Sequence, residues 1–193
     1  MTKADERKEA QLWKKREDQI LDMMILGHLS RIPKKDVEEY LAHLAYVLAD
    51  VARTNLYAHS TIQRLIGKYL KSLGWEVRYE VAFEDEHNRH RFDIVAQKDA
   101  HEIIVEVKAE FDGRDLGQVM EYVHSVRRQR KRARVFLGTD ITNLYRMLEG
   151  SRADIISEYA RLHKMGFIFA DSSVVAVIPA EFIQTFSTYW KRL

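Results

Sequence analysis

Apolar positions along the chain recur with two periods, and the period changes once. Residues 4–30 are rich in Glu, Lys, Arg, Gln and Leu and turn apolar towards Ile20, Met23, Met24 and Leu26, a charged helix that Pro33 stops. Val37, Tyr40, Leu41, Leu44, Leu48 and Val51 then recur at three-and-four spacing and predict a second helix from about Lys34 to Arg53. A third, about Ala58 to Leu73, carries Ile62, Leu65, Ile66, Tyr69, Leu70 and Leu73 on one stripe, with Gly74 suited to the position after its cap. Beyond Gly74 the period falls to two. Trp75 to Phe83 alternates as a strand, Glu84 to His90 is a polar loop, and two apolar strands follow at about Arg91–Gln97 and Glu102–Lys108. A helix from about Arg114 to Arg130 and a short strand at Val135–Leu137 come next. Helical sequence over 141–165 breaks near Gly150, Phe167–Ala170 and Val174–Ile178 are strands, and Ala180–Leu193 is a terminal helix.

This order predicts an α/β fold, a mixed central β-sheet flanked by helices, with an N-terminal helical extension. The extension takes residues 1–55 and the main domain 56–193. The first two helices suit a helical hairpin, a dimerisation arm or a cap on the same core. Glycine and proline together number only ten of 193 residues, too few for a turn-rich sandwich or barrel. The absence of cysteine excludes disulfide scaffolds, thiolate zinc sites, iron–sulfur clusters and a cysteine nucleophile. The start of the chain has no apolar signal stretch and no segment reaches the roughly 20 apolar residues of a membrane span, so an intracellular (cytoplasmic) protein with no membrane partner is expected. The net charge of +2 is unevenly laid out, −3 over residues 58–112 and +5 over 113–193. Such a layout suits a cation-holding site beside a polyanion surface.

The chemistry concentrates in residues 91–108, RFDIVAQKDAHEIIVEVK. With a turn at Asp99–Ala100, facing residues sum to 199, so Lys98 opposes His101 and Asp93 opposes Glu106. Side chains alternate between the faces of each strand. One face then carries Phe92, Ile94 and Ala96 against Ile103, Val105 and Val107, all apolar. The other brings Asp93 beside Glu106, with Lys108 one step along. Facing Cβ atoms in such a pair lie about 4.5–5.5 Å apart. Two carboxylates that close repel unless a positive charge sits between them. A hard divalent cation fits: Mg²⁺ takes one or two carboxylates and completes its shell with waters and substrate phosphates. An ammonium beside it orients a water and offsets charge developing on an attacked phosphate. A plain Lys–Glu ion pair on a solvent-facing sheet surface is the bland alternative.

Asp93, a spacer, and Glu106-Val107-Lys108 resemble the signature of the PD-(D/E)XK phosphodiesterases, the restriction-endonuclease-like nucleases, in which an Asp on the second core strand is followed by Glu-x-Lys on the third. Phe92 stands where many members have proline. The resemblance covers about residues 58–140 and is nearest to Holliday-junction-resolvase-like and RecB-like nucleases. It implies a restriction-endonuclease-like core, metal ligands Asp93 and Glu106, catalytic Lys108, and a Mg²⁺ cofactor for which Mn²⁺ can substitute. It further implies a Gln and a Tyr on the next helix, here Gln118 and Tyr122, the first as a catalytic residue and the second as a nucleic-acid contact. Members often add a Glu on the helix before the sheet. This chain has only His59 and Gln63 there, which leaves Glu80 on the first strand as the nearest acid for a further metal ligand.

Residues 127–134, RRQRKRAR, hold six positive charges in eight positions. Arg127, Arg128, Arg130, Lys131, Arg132 and Arg134 are the expected nucleic-acid contacts, because cations that neutralise phosphates release counterions. Arg89, Arg91, His87 and His90 add to that surface. No phosphate-binding glycine loop, Gly-x-Ser-x-Gly elbow or His-Glu-x-x-His is present. The expected function is therefore a metal-dependent DNA endonuclease, DNA its partner and a homodimer its assembly. A junction-selective nuclease and a vestigial core in a nucleic-acid-binding or assembly protein are the alternatives.

Overall fold

The computed structural model describes residues 3–50, 57–84, 89–110, 119, 122–128, 130, 132–148 and 152–190. Two long helices open the chain, α1 (Lys3–Leu26) and α2 (Lys34–Asp50), joined by a 3₁₀ turn at Leu29–Arg31. Helix α3 (His59–Ser72) leads into strands β1 (Glu76–Glu84), β2 (Arg89–Lys98) and β3 (His101–Val107). Next come a helical stretch over 122–128 (α4), β4 (Arg134–Asp140), α5 (Ile141–Leu148), α6 (Arg152–Leu162), β5 (Met165–Ala170), β6 (Val175–Ile178) and α7 (Ile183–Trp190). The six strands form one mixed sheet in chain order. Strands β1–β2–β3 and β5–β6 pair antiparallel, and β3–β4–β5 pair parallel. No described helix is long and apolar enough to cross a membrane.

Local chemistry sets the ends of these elements. Gly74, at φ 84°, follows the cap of α3: the Gly74 and Trp75 N–H groups donate back to the carbonyls of Lys71 and Leu70, the double bond of a Schellman motif. The chain thereby reverses into β1. Strand β2 begins at Arg89, two residues inside the segment whose polarity predicts a loop, because His90 and Arg89 pair with Phe83 and Glu84. The last helix begins as a 3₁₀ turn at Ala180–Phe182, after Pro179.

The β2–β3 register is the one the turn residues dictate, Lys98 opposite His101 and Ile94 opposite Val105. Ile94, Ala96, Ile103, Val105 and Val107 are buried on one face, while Phe92, beyond the last ladder pair, is buried against Tyr122 of α4. The opposite face is covered too, for Val95 and Ile104 are fully buried. Helix α3 packs on the first face, where Ile66, Val105 and Val107 close over Gly138. Val119, Val123 and Val126 are buried, and Arg130, just beyond α4, bonds Glu102 on the Ile104 face. A hairpin sandwiched between helices leaves only the ends of its strands open to chemistry.

Helices α1 and α2 bury Ile20, Leu21, Met24, Ile25, Leu41 and Leu48 in the same core as the sheet. Asp22 ties α1 down: its Oδ1 accepts from the Trp75 indole at 3.0 Å and its Oδ2 from the Lys98 ammonium at 2.5 Å, which also reaches the Leu73 carbonyl at 2.7 Å. The buried Tyr40 of α2 donates its hydroxyl hydrogen to the Val177 carbonyl at 3.3 Å and accepts from the Val177 N–H at 3.5 Å. Tyr40→Phe leaves both backbone groups without a partner, and is expected to destabilise the fold by about 1–3 kcal/mol in urea unfolding. An unchanged midpoint would show that water replaces the hydroxyl.

Candidate active site

Asp93 and Glu106 come from neighbouring antiparallel strands at the level where the β2–β3 ladder ends. Ladder pairing stops at Ile94–Val105, and the Asp93 side chain takes over one backbone bond, its Oδ2 accepting from the Val107 N–H at 2.7 Å. This fixes the carboxylate against β3. Lys108, one residue past β3, is held by its own backbone: its N–H donates to the Gly138 carbonyl at 2.8 Å and its C=O accepts from the Thr139 hydroxyl at 2.7 Å. Its ammonium lies 3.3 Å from Glu106 Oε1. The three side chains are 13%, 16% and 24% exposed, open enough to meet a ligand and closed enough to strengthen their mutual electrostatics.

Burial comes first in pushing the Glu106 carboxyl up to about 7, the nearby Asp93 charge adds to it, and Lys108 pulls the other way. Glu106 Oε2 is buried and has no hydrogen-bond partner among the described residues. An acceptor in that state favours a proton or a cation. Tyr122 of α4 is buried against Phe92, ring centroids 5.2 Å apart, and its hydroxyl is held protonated by burial and by the charges of Glu106 and Asp93.

The folded acid keeps a proton that the unfolded acid, titrating near its ordinary 4.5, has already lost. Its contribution to stability is therefore present below about 4.5 and lost as the pH climbs through about 7. Thermal melts in chelator at stepped pH are expected to show this fall in the wild type and to lose it in Glu106→Gln. An identical slope in both would place the titration elsewhere.

Helix α3 supplies the far wall. His59, its first residue, places Nε2 3.3 Å from Asp93 Oδ1. Gln63, one turn on, donates from Nε2 to the Asp93 carbonyl at 2.8 Å and to Glu80 Oε1 at 2.7 Å. Glu80 has φ 50°, in the left-handed region, and is passed over in the β1–β2 ladder between Tyr79–Ile94 and Val81–Phe92. Strain of this kind persists where surrounding contacts over-determine it. The Gln63 bond, helped by Arg91 at 3.3 Å, holds the Glu80 carboxyl below its usual range. Both Glu80 oxygens are thus engaged by Gln63 and Arg91, and Glu80 is linked to Asp93 through Gln63. Among the described residues no group of three or more His, Asp or Glu side chains is gathered as a metal site.

The basic run leads away from this site along α4, although the Arg130 guanidinium reaches back over the Phe92 ring at 5.8 Å. Tyr122 of α4 lies over the acids, and Arg130, just beyond the described stretch of the helix, bonds Glu102, four residues down β3 from Glu106. The seven residues of α4 over 122–128 run about 10 Å along the helix axis, against about 13 Å of strand between Glu106 and Glu102. There the run is partly consumed. Arg130 pairs with Glu102 at 2.6 Å, Arg134 with Glu181 at 3.3 Å, and Arg127 donates to the His163 carbonyl. Arg128 and Arg132 are exposed. Gln118, Lys131 and His87 lie outside the described residues, as do the side chains of Arg89 and His90.

No family model and no curated protein sequence matches the chain. Solved structures do. A XisH family protein from Nostoc punctiforme superposes with a TM-score of 0.51 at 18% identity, over 61% of this chain and 98% of its own. An fdxN element excision controlling factor protein from Anabaena variabilis gives 0.50 at 18% identity, over 62% of this chain and 97% of its own. At this identity the likeness is one of fold: a mixed α/β sheet that matches nearly whole neighbouring chains and leaves more than a third of this one unmatched.

Proposed function

We propose that the chain is a metal-dependent DNA endonuclease whose site is Asp93, Glu106 and Lys108. One observation carries the reading: two carboxylates and an ammonium, from adjacent strands, converge at the end of a ladder, with Glu106 Oε2 unpartnered among the described residues and its acid raised by burial beside Asp93. The donor set suits Mg²⁺, with Mn²⁺ as its substitute, because it is all oxygen and limited to one or two carboxylates. A bound Mg²⁺ would polarise the scissile phosphodiester and make water a stronger acid.

The chain's own residues do the rest. Asp93 and Glu106 would hold the ion. Lys108, anchored through Gly138 and Thr139, sets a positive charge where the attacked phosphate becomes more negative. Gln63 and His59 orient Asp93 from behind, the place where related nucleases often carry an acid. The restriction-endonuclease-like order of helix, three strands, helix and strand supports the same assignment. A homodimer built through α1 and α2 belongs to this proposal and is tested by light scattering at micromolar concentration, where a monomer would remove it.

A second reading is favoured by the lack of a three-ligand group among the described residues. In it the core binds nucleic acid without cutting, a role in keeping with a neighbour named for controlling excision. Plasmid nicking in Mg²⁺ or Mn²⁺ decides between them. The wild type should nick, Asp93→Ala and Lys108→Ala should not, and equal behaviour of all three would end the site assignment. Four-way junctions cut in preference to linear duplex would mark a junction-selective enzyme.

A further inference from the structure

Helix α3 is unlike its neighbours in charge. It carries Arg64, Lys68 and Lys71 and no acidic residue. All three are exposed, and none forms a salt bridge among the described residues. Several cations on other helices are paired: Lys34 and Lys35 of α2 each reach a Glu four residues on, and Arg161 of α6 reaches Glu158. Spacings of four and three put the α3 cations in one stripe. The stripe runs about 10 Å along the axis. One strand of duplex DNA offers a phosphate about every 3.4 Å of axis, so this length spans about three phosphates.

Position adds to charge. The stripe begins beside Gln63, the residue that bridges Asp93 and Glu80, and leads away from the acids along the surface. Exposed Tyr79 lies along its flank, with the Lys71 ammonium 5.3 Å from the ring centroid. Gly67 permits this, since a Cβ there would collide with the Tyr79 hydroxyl. The denser run at 127–134 offers less, because Arg127, Arg130 and Arg134 would have to leave partners they already hold.

We infer that the Arg64–Lys68–Lys71 face of α3 is the surface along which duplex DNA is guided to the Asp93–Glu106–Lys108 site. The inference rests on the nuclease reading, yet binding and cutting can be separated. Anisotropy of a labelled duplex of about 30 base pairs, titrated with the full chain in chelator, measures binding alone. The triple variant Arg64→Ala/Lys68→Ala/Lys71→Ala is expected to bind about 30- to 100-fold more weakly near 0.15 M salt. The slope of log affinity against log salt should drop by about 2.7, at about 0.9 for each phosphate no longer neutralised. A charge-matched control, Lys15→Ala/Lys34→Ala/Lys35→Ala, should stay within about threefold. Wild-type affinity in the α3 variant, an equal loss in the control, or a larger loss in Arg128→Ala/Arg132→Ala would overturn the inference. So would binding to phosphatidylserine vesicles with none to duplex. If the α3 variant binds normally while the wild type nicks in Mg²⁺, the track fails and the nuclease stands. If binding depends on the stripe while Asp93→Asn nicks like the wild type, the reverse holds.

Discussion

Lys108→Ala is expected to lower metal-dependent nicking by on the order of 100- to 1000-fold, the cost of losing one preorganised positive group at a developing charge. The fold should survive, because the Lys108 backbone stays anchored to Gly138 and Thr139 and the substitution removes only the ion pair with Glu106. Asp93 needs a more careful substitution. Its Oδ2 accepts the Val107 N–H, so Asp93→Ala also strands a buried donor and brings a stability loss of about 1–3 kcal/mol. Asp93→Asn keeps an acceptor at that position and removes only the charge. It should therefore abolish nicking with a smaller change in melting temperature than Asp93→Ala. Nicking at wild-type rate by Asp93→Asn would mean that the acid pair has no catalytic part.

The largest stability effect is expected at Phe92, directly before the candidate ligand. Its ring is fully buried, stacked on Phe83 at 4.8 Å and met edge-on by Tyr122 at 5.2 Å. Phe92→Ala removes this packing and leaves a cavity between β1, β2 and α4, worth about 3–5 kcal/mol. Phe92→Leu fills much of that volume and should recover most of the loss. Urea unfolding of the three proteins checks the order. A loss under about 1 kcal/mol for Phe92→Ala would show that the strands collapse onto the gap.

How much is legible in the sequence differs along the chain, for physical reasons. The hairpin is legible because Asp99–Ala100 leaves one sensible turn, and the strict two-residue alternation of side chains then sets every facing pair from Lys98–His101 to Ile94–Val105. Helix α3 is legible from its apolar stripe and Gly74. The covering of the second face is not. Val95 and Ile104 alternate with charged and polar residues and read as a half-open surface, whereas α4 closes over them, a long-range event that no local period encodes. The direction of α4 likewise decides where the basic run falls. Its charges are neighbours in sequence to a helix that touches the site, but the helix axis carries their backbone away, and only Arg130 among the described ones is seen to reach back, over Phe92. His59 and Gln63 can be named from the composition of α3, while their reach to Asp93 depends on how that helix docks. The kink at Glu80 has no signal of its own, since glutamate seldom adopts a positive φ.

The hydroxyl of Tyr40 has a bearing on self-association. It engages the N–H and C=O of Val177 on the outer margin of β6, so that neither group is free to pair with a strand from another molecule. The margin of β1 bounds the sheet at its other end. That margin is studded with exposed Glu76, Arg78 and Glu80 and broken by the left-handed residue at its middle, a combination that repels a flat incoming strand. Growth into fibrils by edge-to-edge addition is thus obstructed at both ends of the sheet, by a single phenol at one and by charge and a kink at the other.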